Sequence, residues 1–328
     1  MDFSLTAEQK MIKDSVRKFA AAQILPHTRQ WDHDGKFPRE LLYKMGELGY
    51  LGVPVPEEYG GTGLDYIAEA IVFEEVGYAD SSIRTTLSVQ MSLVELTILK
   101  WGSEEQKQAY LPKLCSGEWL GCYGLTEPNA GSDAANIATT AKQAGDEWVL
   151  NGQKVWISNG TWADVAIIFA QTQPGSKNKG MVAFLIDTKT PGFSSRKMTG
   201  KLGLKASDTG ELFLDNVRVP DSARLGEVGE GFKVAMSALD NGRYGVASGC
   251  VGTAQRALDV SLQYAKERIA FDKPIAGFQL VQDMLAQMAV DVEAARLLVY
   301  QAGATKNRGE VSTIPVSMAK YYATEAAK

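Results

Sequence analysis

Four short runs carry the residue types best suited to chemistry. The first, Tyr123 to Asp133 (YGLTEPNAGSD), leaves a β-type segment and enters a glycine-containing turn rich in hydroxyls and backbone donors, a composition that can hold polar cofactor atoms. Taken alone it is equally a well-satisfied surface loop. The second, VWISNG, puts Trp156 and Ser158 on one face of a strand and Ile157 on the other; a tryptophan in such a strand reads first as core. The third, Asp240-Asn241-Gly242-Arg243, falls in a helical segment, where a solvated charged face is the default. The fourth, RIAFDKPIAGFQ at 268–279, follows a long helix and offers Arg268, whose guanidinium can grip a phosphate with two parallel hydrogen bonds. By itself it is a favourable charge at a helix C-terminus.

Other chemistries are poorly supplied. The two histidines, His27 and His33, lie in a polar stretch around Pro26, which argues against histidine triads and zinc sites. Cys115, Cys122 and Cys250 form neither a paired framework nor a metal-type spacing, so buried thiols in a reducing compartment are expected. A net charge of -5 and a pI near 5.3 give no basic field for nucleic acid or an anionic membrane. The start, MDFSLTAEQK, shows no basic region followed by an apolar stretch, and no window of about eighteen apolar residues occurs. A cytoplasmic protein with no signal or transit peptide and no membrane span is expected.

The elements that must position these runs fall into three blocks. With 328 residues, 45% of them hydrophobic, the chain exceeds what one core supports. Thr6 and Gln9 make a capping box, and Ile12, Val16 and Phe19 recur at helical spacing until Pro26. Helices follow over Pro38 to Leu48, about 65–78 and about 82–100, and Ser103 with Gln106 caps another before Gly117. From Trp119 the pattern changes to strands at about 147–158, 163–171, 181–187 and 210–219, with Asn151-Gly152 predicting a hairpin turn. That spacing suggests a compact barrel or sandwich. From Gly231 two long helical runs return and must pack as a bundle. The last stretch, SMAKYYATEAAK, is helical in composition and meets no stop signal at Lys328, so it reads as a helix cut partway. The expected fold is mainly α with a central β domain: an N-terminal helical domain over 1–118, a middle β-barrel over 119–225 and an incomplete C-terminal helical bundle over 226–328.

In this order and on this plan, the runs resemble the acyl-CoA dehydrogenase family, most closely its short-chain, butyryl-type members. The opening FxLTxEQ, the PEEYGG loop, Gly102 to Pro112, YGLTEPNAGSD, KLGLKASDT at 201–209, GEGFKVAM at 229–236 and LDNGR at 239–243 carry the resemblance across the whole chain. It implies FAD lying between the β domain and the C-terminal helices. Tyr123, Leu125, Thr126, Gly131 and Ser132 would contact the flavin ring and ribityl atoms, Ser132 touching the acyl-CoA as well. Trp156 and Ser158 would line the flavin face away from substrate, with Ile157 offering backbone polar groups. Arg268, Phe271 and Gln279 match positions that reach the FAD of a neighbouring subunit, which implies a homo-oligomer, a dimer of dimers. Asp272 departs from the glycine common after that phenylalanine. Asp240, Asn241 and Arg243 match residues that hold the CoA portion.

The implied reaction is α,β-dehydrogenation of a short or branched acyl-CoA to 2-enoyl-CoA, with electrons passed to an electron-transferring flavoprotein. Its base would be a carboxylate of raised pKa in a desolvated site. Most members carry it as a glutamate in a late YEGT-type motif after a QxxGGxGY stretch, and neither string occurs up to Lys328. Some relatives place it just before the CoA-binding arginine, where this chain has Gly242. The expectation is that no residue of the chain is the catalytic base and that the glutamate lies beyond Lys328. Two alternatives remain: a flavin or acyl-CoA-binding homologue without a base, and an oxygen-using relative of the acyl-CoA or nitroalkane oxidase kind.

Overall fold

A computed structural model describes residues 4–328, so Phe3 of the opening motif lies outside the described residues. In chain order the first helices are α1 (Ala7–Gln23), α2 (Thr28–Asp34), α3 (Glu40–Glu47), α4 (Tyr66–Ala79), α5 (Ser81–Ser88), α6 (Leu96–Trp101) and α7 (Glu104–Cys115). Strands follow: β1 (Gly121–Gly124), β2 (Thr140–Ala144), β3 (Glu147–Ser158), β4 (Val165–Gln171), β5 (Met181–Asp187), β6 (Phe193–Lys197), β7 (Thr209–Pro220) and β8 (Arg224–Leu225). The chain then forms α8 (Gly231–Glu267), the two-residue strands β9 (Ile269–Ala270) and β10 (Lys273–Pro274), α9 (Gln279–Asn307) and α10 (Thr313–Ala326).

These elements gather into two compact units. The helical unit takes the segment ending at Arg29, Asp65–Arg84 and Arg243–Lys328. Its α1 begins with the expected capping box, Gln9 N donating to Thr6 Oγ1 at 3.1 Å and Thr6 N to Gln9 Oε1 at 3.0 Å. At its centre α4 is buried along nearly its whole length, from Ala68 to Gly77. Glycines let it touch α8: a Cβ added to Gly252 would stand 1.9 Å from Glu74 O, and one on Gly77 would stand 2.5 Å from Gly249 O. Two of the acids that α4 buries are matched, Arg17 gripping Glu75 with two bonds while Arg296 and Tyr300 donate to Glu74. Ala295, Val299 and Ala302 of α9 meet Val316, Ala319 and Ala323 of α10 in a seam of small residues.

The β unit takes Gln30–Leu64 and Thr85–Gly242. Its sheet runs β6-β7-β3-β2-β4-β5-β8, with β1 parallel to β4 off this path. Trp148 on β3 and Phe184 on β5 are not on neighbouring strands, yet their rings are 5.7 Å apart, so the sheet curls round its own core, which also holds Leu150, Ile168, Leu212 and Val217. The opposite face of β1, β4 and β5 shares a second core with Leu111, Leu114 and the first turns of α8 at Val234, Ala235 and Ala238.

Two sequence expectations are corrected here. Asn151-Gly152 is not the hairpin turn. The β2–β3 hairpin turns at Gly145-Asp146, since Ala144 pairs with Glu147, and Asn151 and Gly152 lie inside β3. There the register with β7 slips between Leu150 and Gly152, and Asn151 Oδ1 accepts the Asn216 amide at 2.9 Å. Gly152 serves close approach, because a Cβ would sit 2.3 Å from Thr139 Oγ1. Nor is 82–100 one regular helix: α5 and α6 are joined by a π-helical stretch over Val89–Glu95. The buried Gln90 amide of that stretch donates to Leu114 O and Trp119 O and accepts from Gly121 N, tying the helix to the start of β1.

Candidate active site

In the β unit the first candidate run leaves β1 into a tight turn. Tyr123 is buried against Phe169, with ring centroids 5.0 Å apart, and its hydroxyl donates to Ala235 O at 3.1 Å. Burial pushes the phenol pKa well up, so it stays neutral. Leu125 is buried and Thr126 half-buried. Glu127 and Ala130 then close the turn by exchanging backbone bonds of 3.0 and 3.2 Å.

Glu127 points inward. Its carboxylate accepts from Thr139 N at 3.0 Å, Ala138 N at 2.5 Å and Lys154 Nζ at 2.7 Å. Burial alone would raise its pKa, but Lys154 and the two amides hold it below the usual carboxylate range. Lys154 is fully buried, also donates to Leu125 O at 3.3 Å, and is lowered to about 8, because the loss of water outweighs the pull of Glu127.

One residue beyond Lys154, β3 lets go of β7. Lys154 pairs with Leu212 and Ile157 with Gly210, so Val155 and Trp156 face a single partner position, which is a β-bulge. The Val155 amide turns to Thr126 O at 2.9 Å. Trp156 takes φ 60° and is 65% exposed, while Ile157 is buried and Ser158 half-buried. The expectation that Trp156 is core is therefore corrected, because the bulge re-aims the indole outward. The bond from Val155 to Thr126 brings the segment 123–126 and the segment 155–158 together.

The remaining candidates are distributed differently. Gly131 and Ser132 are exposed, and a Cβ on Gly131 would meet nothing within 4 Å. Asp240 and Asn241 are half-buried on α8. At Gly242 a Cβ would stand 2.8 Å from Leu93 Cδ2, so a larger side chain there must displace Leu93. Arg243 is the next residue of α8, half-buried and the first of its segment in the helical unit. Arg268, Phe271 and Gln279 are all exposed in that unit, Phe271 to 90%. Phe271 and Asp272 form the two-residue turn of the β9–β10 hairpin, both left-handed at φ 51° and 61°, the backbone that favours glycine.

Sequence reasoning missed Arg84. Its side chain is buried, its Nε has no hydrogen-bond partner, and it makes no ion pair among the described residues. Burial pushes its pKa down, with Cys250 and Asp80 compensating in part. Gly249 makes room for it, since a Cβ there would stand 2.3 to 2.8 Å from Arg84 Cδ, Nε and Cγ. Gly249 follows Arg243 on α8 by about 9 Å of helix rise.

Residues 6–118 match the model of the acyl-CoA dehydrogenase N-terminal domain, 122–217 that of the middle domain and 229–328 that of the C-terminal domain. The chain belongs to the acyl-CoA dehydrogenase family. Within the family it is 46% identical to a glutaryl-CoA dehydrogenase of Desulfococcus multivorans over 99% of this chain and 85% of that protein. It is 44% identical to the human mitochondrial short-chain specific acyl-CoA dehydrogenase over 98% of this chain and 78% of that protein. A solved structure described as the electron transferring flavoprotein of Acidaminococcus fermentans matches with TM-score 0.97 and 43% identity, over 99% of this chain and 86% of that one. A glutaryl-CoA dehydrogenase from Mycobacterium smegmatis in complex with FADH2 matches with TM-score 0.94 and 38% identity, over 98% of this chain and 82% of that one. Among the described residues no helix is long and apolar enough to cross a membrane, and no cluster of acids, histidines and cysteines could hold a metal.

Proposed function

We propose that the chain is an FAD-dependent dehydrogenase of short acyl-CoA thioesters, forming 2-enoyl-CoA and passing electrons to an electron-transferring flavoprotein. The observation that carries this is the bulge at Val155 and Trp156, which turns an indole out of a buried strand beside the turn that begins at Leu125. A flat, largely apolar ring with polar edges fits such a place. The exposed indole offers it a face, and the exposed Ser132 and the open space at Gly131 leave room for its polar tail. When bound, FAD supplies the acceptor for the hydride leaving the β carbon. Tyr123, Leu125, Thr126, Ser158 and the Ile157 backbone bind and orient the ring, and the indole keeps water from one face. Asp240, Asn241 and Arg243 hold the CoA portion, the guanidinium matching its phosphate or pantetheine oxygens. Arg268, Phe271 and Gln279, all exposed, are offered to the FAD of a second copy.

Arg84 favours one substrate class within this function: a short acyl chain that ends in a carboxylate. A buried guanidinium whose Nε has no hydrogen-bond partner carries a desolvation cost that a substrate carboxylate would offset. The glutaryl-CoA dehydrogenases among its relatives act on a thioester of that kind by name. The test is anaerobic bleaching of the FAD-loaded protein by glutaryl-CoA, butyryl-CoA and isobutyryl-CoA. Faster bleaching by glutaryl-CoA is expected. Equal or slower bleaching by it would remove the carboxylate assignment, and a protein that takes up no FAD would remove the dehydrogenase assignment.

A further inference from the structure

Lys154 is the observation that the proposed chemistry does not use. It is fully buried in β3, where an apolar residue would be the ordinary choice. A buried ion pair is weak evidence for stability, because the loss of water by both charges offsets most of their attraction. What distinguishes this pair is where its bonds go. Lys154 Nζ reaches Glu127 Oε1 at 2.7 Å and Leu125 O at 3.3 Å, and the next residue, Val155, donates to Thr126 O at 2.9 Å. Three consecutive residues of the turn are thus fixed to two consecutive residues of β3. On its far side Glu127 is held by the amides of Ala138 and Thr139, just before β2. The turn is clamped from both directions, and the bulge that presents Trp156 starts at the clamp.

We propose that Lys154 is a positioning residue for the flavin site: its bonds to Glu127 and Leu125 set the spacing between the Leu125-Thr126 edge and the Trp156 indole. This rests on the flavin assignment of the proposed function. Lys154 touches neither flavin nor substrate in this role and acts through the backbone at Leu125 and through Glu127. A side chain that only supported the fold would leave the flavin's surroundings unchanged once stability was restored.

The test compares the parent protein with Lys154→Met and with Lys154→Met/Glu127→Gln. The double variant carries no charge at this site, and the side-chain amide oxygen that Glu127→Gln introduces can still accept one of the two amides, which Glu127 takes on separate oxygens. The readouts are the thermal midpoint without FAD, the Kd for FAD and the absorbance spectrum of the bound flavin. The single variant leaves Glu127 buried and uncompensated, so it loses both thermal midpoint and FAD affinity. The double variant is expected to regain a near-parent midpoint while its FAD Kd stays about tenfold weaker and its flavin spectrum stays shifted from the parent's. Parent-like FAD affinity and spectrum in the double variant would overturn the proposal and leave the flavin assignment standing. A parent protein that takes up no FAD would overturn both.

Discussion

The Val155 amide donates to the Thr126 carbonyl across 2.9 Å, at the point where β3 has no matching partner on β7. That bond and the φ of 60° at Trp156 belong together: the backbone turns toward the 125–130 turn and the next side chain is thrown outward. Because Trp156 is 65% exposed, its indole contributes little to the fold. Trp156→Ala is therefore expected to change stability by no more than about 0.5 kcal/mol. It should weaken FAD by about tenfold through the lost ring contact. Thermal unfolding without FAD and titration with FAD read the two effects separately, and a large loss of stability with unchanged FAD affinity would show the indole to be structural.

Arg84 and Gly249 make a second linked pair, with opposite effects on stability and selectivity. Arg84→Met removes a buried charge whose Nε has no hydrogen-bond partner and is expected to stabilise the protein by about 1–3 kcal/mol. It should also abolish any preference for a carboxylated acyl-CoA over butyryl-CoA. Gly249→Ala places a methyl group within 2.3 to 2.8 Å of the Arg84 side chain, so it should displace the guanidinium and reduce the same preference. Ratios of kcat/KM for glutaryl-CoA and butyryl-CoA decide this, and ratios unchanged in both variants would count against Arg84 as the selector.

Some of this was legible from residue spacing. Thr6 and Gln9 announced a capping box because both bonds are local, and β5 begins and ends at Met181 and Asp187, as its apolar run between turn residues predicts. Features set by distant partners were not legible. Asn151-Gly152 carries the local signature of a hairpin, but β7 pairs on both sides of it and keeps the strand running. The π-helical stretch at Val89–Glu95 depends on where the Gln90 amide finds Leu114 O, Trp119 O and Gly121 N, and its composition is that of any buried helix. Arg84 sits in SSIRTTL, a context that suggests a surface charge, and its burial depends on a glycine in α8. Trp156 looked like core because a bulge leaves no mark in the alternation of a strand.

Asp272 should be a position where glycine stabilises. Both residues of the β9–β10 turn are left-handed, and Asp272 is exposed at φ 61°. Asp272→Gly relieves the strain of an L-residue there, about 1 kcal/mol, partly offset by the freer unfolded chain. A net gain of about 0.5 kcal/mol is expected in urea unfolding, and a loss of that size would mean that the aspartate side chain holds the turn by itself.

Gly252 should tolerate no side chain. Its Cβ would stand 1.9 Å from the Glu74 carbonyl and 2.6 Å from the Tyr78 amide nitrogen, and backbone atoms cannot swing aside. Gly252→Ala must part α4 from α8 and is expected to cost about 2–3 kcal/mol. An unfolding midpoint equal to the parent's would show that these helices can slide apart freely.

Asp221 makes acid stability testable with a definite sign. Its carboxylate accepts from Arg224 Nε at 2.7 Å and from Trp148 Nε1 at 2.7 Å, and these two partners, Arg224 first, hold its pKa down at about 2, below its ordinary 3.8. A carboxyl lowered on folding stabilises the protein fully above its unfolded pKa, and that contribution fades as the pH falls through the folded pKa. The window is therefore about 4 down to about 2. Asp221→Asn should lower the urea midpoint at neutral pH, modestly because the side chain is 45% exposed and screened. Across the window the gap between variant and parent should close, since the parent carboxyl is then protonated as well. A gap of constant size down to the lower end would show that packing around Trp148, and not the charge on Asp221, is what the substitution removes.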